Sequence, residues 1–362
     1  MSDRVLKEFT RQYIRAQKVP EVVFGWQGGE PLLMGLDFFR KAVKYQEHYA
    51  KSGMRILNAV QTNGTLIDAE WARFFHEHGF LVGVSLDGPA KLHDAFRKDP
   101  HGKGTFKRVK QGIDFLKKAR VEYNLLTCVN ASNVEKPLEV YTFFRDEIGA
   151  NFIQFIPIIE RNLDENNREL PSITDRSVPG GKYGEFLIEI FDEWVRNDVG
   201  TVFVQIFDVT LGAWMGRPGG LCVFAETCGN AMALEHNGDL YACDHYVNVV
   251  DKRGNIMDNQ LINLIASRDQ MKFGLRKKTD LPRACRACKW LFACNGGCLK
   301  NRVDASQLDD GTLDKFKINH LCKGYQAFFN HVDSFMKFMA KKLRNRRPAA
   351  DIMEFLKEHD IS

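Results

Sequence analysis

CRACKWLFACNGGC, residues 285–298, decides how the rest of this chain is read. Cys285, Cys288, Cys294 and Cys298 stand there as C-x2-C-x5-C-x3-C. Cys222, Cys228 and Cys243 precede them and Cys322 follows, so eight of the nine cysteines lie after residue 221. Eight thiolates suffice for two four-cysteine sites. Cys285 and Cys288 form a C-x-x-C knuckle to which Cys294 and Cys298 return. Gly296 and Gly297 let backbone N–H groups approach the sulfurs, which helps tune an iron–sulfur cluster. Trp290 and Phe292 stand where they would exclude water. Zinc held by four cysteines uses the same pairs, so spacing alone leaves zinc, iron–sulfur and disulfides all open.

Upstream, ALEHNGDLYAC (233–243) carries Asn237-Gly238 between two alternating runs, a strong hairpin signal. A two-residue turn would set Cys243 across from about Met232, with Cys228 just beyond the open end of the ribbon.

The first half has a different texture. Val5, Phe9 and Tyr13 fall at i, i+4 and i+8, an amphipathic helix starting at Ser2 or Asp3. Strand patterns at 21–26, 55–62, 81–87, 123–130 and 152–157 alternate with helical patterns near 37–50, 67–79, 109–116 and 137–147. Five such strands imply parallel βα units with a site at the strands' C-terminal ends. Residues 161–180 read as a polar loop, followed by a helix near 183–197 and a last one at about 324–343. Cys128, in the apolar run NLLTCV, reads as an inert core thiol.

At 362 residues the chain can build two domains. No apolar run approaches a membrane span, and MSDRVLKEFT is not a secretory signal. A cytoplasmic protein is expected, where clustered cysteines more often bind metal than pair. The net charge of +5 is mild, and the basic run Lys341–Arg347 reads as a solvated helix end, so neither nucleic acid nor membrane is expected as a partner.

WQGGEP (26–31), QTNGT (61–65), VSLDGP (84–89), HDAFR (93–97), FIPIIE (155–160) and CDHY (243–246) resemble, in this order, an anaerobic sulfatase-maturating enzyme. Those enzymes are radical S-adenosylmethionine (SAM) proteins with a SPASM-type auxiliary-cluster domain. The resemblance implies an α/β fold: a partial (β/α)6 barrel over 1–205, a cysteine-rich domain with a β-hairpin over 206–345, and a helical tail over 346–362. It implies two auxiliary [4Fe-4S] clusters, one on Cys222, Cys228, Cys243 and Cys298, the other on Cys285, Cys288, Cys294 and Cys322. Gly28, Gly29 and Glu30 would meet the SAM amino group, Ser85 and Arg97 its carboxylate, and Gln27 and the backbone at Ile158 its nucleoside. Asp244 would be the general base that takes the target's proton.

By the same resemblance, reductive SAM cleavage gives a 5′-deoxyadenosyl radical that removes a Cβ hydrogen, and a Cys or Ser of a sulfatase becomes Cα-formylglycine. The substrate would be unfolded or nascent sulfatase, and the electron donor a flavodoxin or ferredoxin. The family's C-x3-C-x2-C triad, which binds a third, SAM-ligating cluster, has no match in these residues. An N-terminally truncated form is therefore expected, lacking the first barrel strand and unable to cleave SAM, with the strand at 21–26 left as a sheet edge. Another SPASM-type peptide maturase and a non-catalytic iron–sulfur module are the alternative readings.

Overall fold

The computed structural model describes residues 1–165, 169–217, 219–305 and 312–359. In chain order it opens with α1 (Asp3–Ala16), β1 (Glu21–Trp26), α2 (Leu36–Tyr49), β2 (Arg55–Thr62), α3 (Ala69–Glu77) and β3 (Phe80–Ser85). Then come α4 (Ala90–Phe96), α5 (Phe106–Lys118), β4 (Tyr123–Val129), α6 (Pro137–Thr142) and β5 (Phe152–Pro157). The expected βα alternation is present, and each strand falls within about two residues of its expected position.

Three expectations are corrected. The stretch 161–180 is not simply a loop: β6 (Arg161–Leu163) and β7 (Glu169–Ile173) pair antiparallel, and α7 (Gly180–Asn197) starts at its last residue, three before the expected helix start. Residues 166–168, inside that stretch, lie outside the described residues, as do 360–362 of the tail. The parallel sheet has six strands rather than five, in the order β1-β2-β3-β4-β5-β8. The missed strand, β8 (Phe203–Val204), pairs only Phe203 with Phe152 and Val204 with Ile153, too short for a period-2 pattern to register. It is followed by α8 (Gln205–Trp214).

The third correction concerns the hairpin. β9 (Ala233–Leu234) and β10 (Asp239–Tyr241) pair Leu240 with Leu234 and Tyr241 with Ala233, and β11 (Lys252–Asn255) adds a third strand. The Glu235 N–H donates to the Asp239 carbonyl, so the loop is three residues, 236–238, not two. Gly238 takes the positive φ of 91° that such a loop places at its end. Continued along the ribbon, this register sets Ala242, not Cys243, opposite Met232.

The chain forms two compact units. One comprises Met1–Ser85, Lys107–Tyr123 and Thr227–Arg276, and the other Leu86–Phe106, Asn124–Glu226 and Lys277–Ser362. In the first, the Ser2 side chain caps α1 by accepting from the Val5 N–H at 3.3 Å. Val5 packs with Leu240, Ile256, Leu261 and Leu264 in one core cluster. Gln12, 5% exposed, donates to the Ile256 carbonyl and accepts from the Leu261 N–H, satisfying two backbone groups 244 and 249 residues away in sequence. This ties the hairpin region to α1.

In the second unit, α7 lies against the long helix Cys322–Arg344. A Cβ on Gly184 would fall 2.5 Å from the Gly324 Cα, and one on Gly324 would run into the Gly180 carbonyl. Glycine is required at that crossing because the two backbones touch. Around it Phe186, Phe191, Phe207, Phe328 and Phe329 are all within 1% of full burial.

Candidate functional site

Cys285, Cys288, Cys294 and Cys322 line one cavity with Trp290, Leu291, Ile318, Tyr325 and Phe329. A short helical turn, Arg283–Arg286, starts the knuckle, and the turn Leu291–Cys294 ends at Asn295 in the left-handed region, which sends the chain back. Cys322 arrives as the first residue of the long helix, whose second turn brings Tyr325. Burial pushes Cys294 up to about 12 and Cys322 to about 11, and raises Cys285 as well. These thiols are protonated near neutral pH until a metal displaces their protons. The Trp290 indole N–H is buried without a partner.

No carboxylate lines this cavity. Among the described residues no three His, Cys, Asp or Glu side chains converge closely enough to hold a single metal ion. Four soft donors spread around apolar walls, with a spare N–H, fit an iron–sulfur cluster better than one zinc ion, whose four sulfurs must all sit about 2.3 Å from the metal.

The other four array cysteines divide between the units. In the first unit, the Cys228 N–H donates to the Gly274 carbonyl, and Cys243 follows β10 by two residues. In the second, Cys222 is exposed, and Cys298 precedes the turn Leu299–Asn301. Asp244 is exposed beside Cys243, whose Sγ–H donates to Asp244 Oδ1 at 3.0 Å. The turn is fixed by the Tyr246 N–H donating to the Cys243 carbonyl.

Gln27, Gly28 and Gly29 are exposed just past the end of β1. Gly28 and Gly29 take φ of 100° and 57°, and a Cβ on either would meet nothing within 4 Å. Backbone conformation, not crowding, calls for glycine here, and it leaves open space over the strand end. Glu30 follows with its carboxylate fully oriented. Oε1 accepts from the Thr62 hydroxyl at 2.7 Å and the Leu32 N–H at 3.1 Å, and Oε2 from the Asn63 N–H at 2.8 Å. Three of about four acceptor positions on an ionised carboxylate are taken, leaving one for a ligand cation.

Ser85, 8% exposed, ends β3. Arg97 caps α4 and forms a two-pronged pair with Asp87, Nε to Oδ2 at 2.6 Å and Nη2 to Oδ1 at 3.1 Å. Cys128, expected as an inert core thiol, accepts from Arg97 Nη2 at 3.3 Å, and burial raises its pKa. The Ile158 N–H donates to the Val129 carbonyl and its carbonyl accepts from the Val178 N–H, so its backbone is fixed on both sides. Thr62, Asn63 and Asp87 were not singled out from the sequence, though they stand in QTNGT and VSLDGP. Their signal was position: polar residues immediately at or after the C-terminal ends of parallel strands.

Residues 1–144 match the radical SAM superfamily model and residues 222–289 an iron–sulfur cluster-binding domain. A serine-type anaerobic sulfatase-maturating enzyme of Bacteroides thetaiotaomicron is 46% identical over 370 aligned positions, covering 100% of this chain and 88% of that protein. A cysteine-type enzyme of Clostridium perfringens is 32% identical, covering 91% of this chain and 86% of its own length. The solved structure of native anSMEcpe with bound AdoMet and Cp18Cys peptide superposes with a TM-score of 0.84 at 31% identity, covering 94% of this chain and 92% of that one.

Proposed function

The chain belongs to the anaerobic sulfatase-maturating enzymes of the radical SAM superfamily, and from that premise we propose that it oxidises a serine in a sulfatase active-site segment to Cα-formylglycine. The family's reaction is this oxidation of a Ser or Cys residue, and its cofactors are iron–sulfur clusters and SAM. The choice of serine rests on one observation: the 46% identity, across the whole chain, to a serine-type enzyme, against 32% to a cysteine-type one.

When bound, SAM and the clusters supply one-electron chemistry, removal of a substrate Cβ hydrogen and a sink for the electron left behind. The chain's own residues do the rest. Cys285, Cys288, Cys294 and Cys322 would hold one auxiliary cluster, and the cavity they share supports that assignment. Cys222, Cys228, Cys243 and Cys298 would hold the other. Glu30, held by Thr62, Leu32 and Asn63, would receive the SAM ammonium in its remaining acceptor position, with the bare backbone of Gly28 and Gly29 leaving room. Ser85 and Arg97 would bind the SAM carboxylate, and Gln27 and the Ile158 backbone its nucleoside. Asp244 would take the serine hydroxyl proton as the carbonyl forms. Its exposure allows a substrate to reach it, and the neighbouring Cys243 keeps it beside a cluster ligand.

The substrate would be an extended segment of unfolded sulfatase, and an external one-electron donor of the flavodoxin or ferredoxin class would drive turnover. The test is incubation of the reconstituted enzyme, supplied with an N-terminal segment that carries the family's C-x3-C-x2-C triad, with paired peptides carrying Ser or Cys at the target position. Aldehyde on the Ser peptide is expected. Aldehyde on the Cys peptide alone would overturn the serine assignment, and none on either would overturn the function.

A further inference from the structure

Arg97 does not stand alone in the second unit. Asp87, whose side chain is 3% exposed, takes both the Nε and Nη2 edges of the guanidinium, at 2.6 and 3.1 Å. Asp87 is in turn fixed by donors that are not Arg97. The Cys128 N–H donates to Asp87 Oδ1 at 2.8 Å, and the Asn133 amide donates to the Asp87 carbonyl at 3.1 Å. The Asp87 N–H donates to His93 Nδ1 at 3.3 Å. That bond sets the tautomer of a ring that burial holds neutral, with its pKa lowered to about 4. The His93 Nε2–H then donates to Thr105 Oγ1 at 3.0 Å, and the Thr105 hydroxyl donates to the Arg97 carbonyl at 3.0 Å. The Arg97 N–H donates to the His93 carbonyl. Backbone and side chain of Arg97 are thus gripped by one closed network.

What the grip leaves is specific. Among the described residues, Nη1 has no hydrogen-bond partner, and the side chain keeps 23% of its surface open. A guanidinium locked along its Nε–Nη2 edge, with Nη2 also donating to Cys128 Sγ, presents Nη1 to an anion in a single orientation, at little further entropic cost. We propose that Asp87 is a positioning residue that locks the Nε–Nη2 edge of Arg97, so that Nη1 reads the ligand's carboxylate. This rests on the reading of Arg97 as the group that binds the SAM carboxylate and deepens it, by assigning how that selectivity arises.

The test compares binding of SAM with binding of the analogue whose methionine carboxylate is replaced by hydrogen, measured by anaerobic equilibrium dialysis on the reconstituted holoprotein. A structural defect would weaken both ligands alike, whereas loss of positioning weakens SAM selectively. Asp87→Asn keeps the shape and removes the charge, and the ratio of the two affinities is expected to fall roughly tenfold or more. Arg97→Lys keeps both the positive charge and a partner for Asp87, so the fold is retained. It cannot fork, and the same fall is expected. The double variant should fall no further than either single one. An unchanged ratio in Asp87→Asn, with Arg97→Gln losing it, would overturn the positioning role alone. An unchanged ratio in Arg97→Gln would overturn the reading of Arg97 and this inference with it.

Discussion

Asp244 and His93 show what single side chains contribute. Asp244→Asn removes the proposed base but leaves every cysteine in place. The expected result is a fall in aldehyde formation of about 10²–10⁴-fold with unchanged iron content and thermal midpoint, read by peptide mass and metal analysis. His93 gives a pH signature of stability. Its folded pKa, lowered by burial to about 4, lies below the ordinary value near 6.5. The unfolded chain therefore takes up a proton first as pH falls, and stability is lost between those two values. Between pH 7 and 5 the loss from this one ring is about 2 kcal/mol. Denaturant melts of wild type and His93→Gln at both pH values should show that much less pH dependence in the variant. At this scale the sequence singles out Asp244 and Glu30 because each letter carries its own chemistry. The donors that orient Glu30 come from Thr62 and Asn63, 32 and 33 residues on, and only the sheet brings them there.

Among the elements, the contact of α7 with the helix Cys322–Arg344 does most to place the thiol cavity, because Cys322, Tyr325 and Phe329 all ride on that helix. Gly324→Ala inserts a methyl where the Gly180 carbonyl already sits, and the helices must separate. A cost of about 1–3 kcal/mol is expected, with a lower thermal midpoint and weaker iron retention on dialysis. Retained iron and an unchanged midpoint would mean the crossing relaxes freely. Helix periodicity revealed both helices from their sequences, but nothing in a 3.6-residue period says which glycine is a contact and which a cap. The same limit explains the hairpin: Asn237-Gly238 marked the turn, while the one-residue difference in register follows from the Glu235–Asp239 pairing. Two-residue β8 and the β6–β7 pair were too short, or too polar, to signal themselves.

For the molecule as a whole, the order of the eight cysteines was the most legible feature; Cys285, Cys288, Cys294 and Cys322, which the resemblance groups together, line one cavity. Substituting Cys285, Cys288 and Cys294 together by Ala should remove about four iron per reconstituted chain, one [4Fe-4S] cluster, and leave the rest. Loss of all iron would mean the two sites fold only together. No helix is long and apolar enough to cross a membrane among the described residues. The compact units interleave, with Thr227–Arg276 joining the N-terminal residues, because α1 and the hairpin share one core. Such a partition depends on contacts far apart in sequence, which composition and spacing do not encode.

The central claim is that this chain removes a hydrogen from the Cβ of a sulfatase residue. The most direct measurement uses a target peptide deuterated at that Cβ, the reconstituted enzyme supplied with a segment that carries the C-x3-C-x2-C triad, SAM and a reductant, with mass analysis of both products. The account predicts deuterium in the 5′-deoxyadenosine and an aldehyde on the same peptide. An aldehyde formed with no label in the 5′-deoxyadenosine, or 5′-deoxyadenosine formed while the peptide is unchanged, would contradict it.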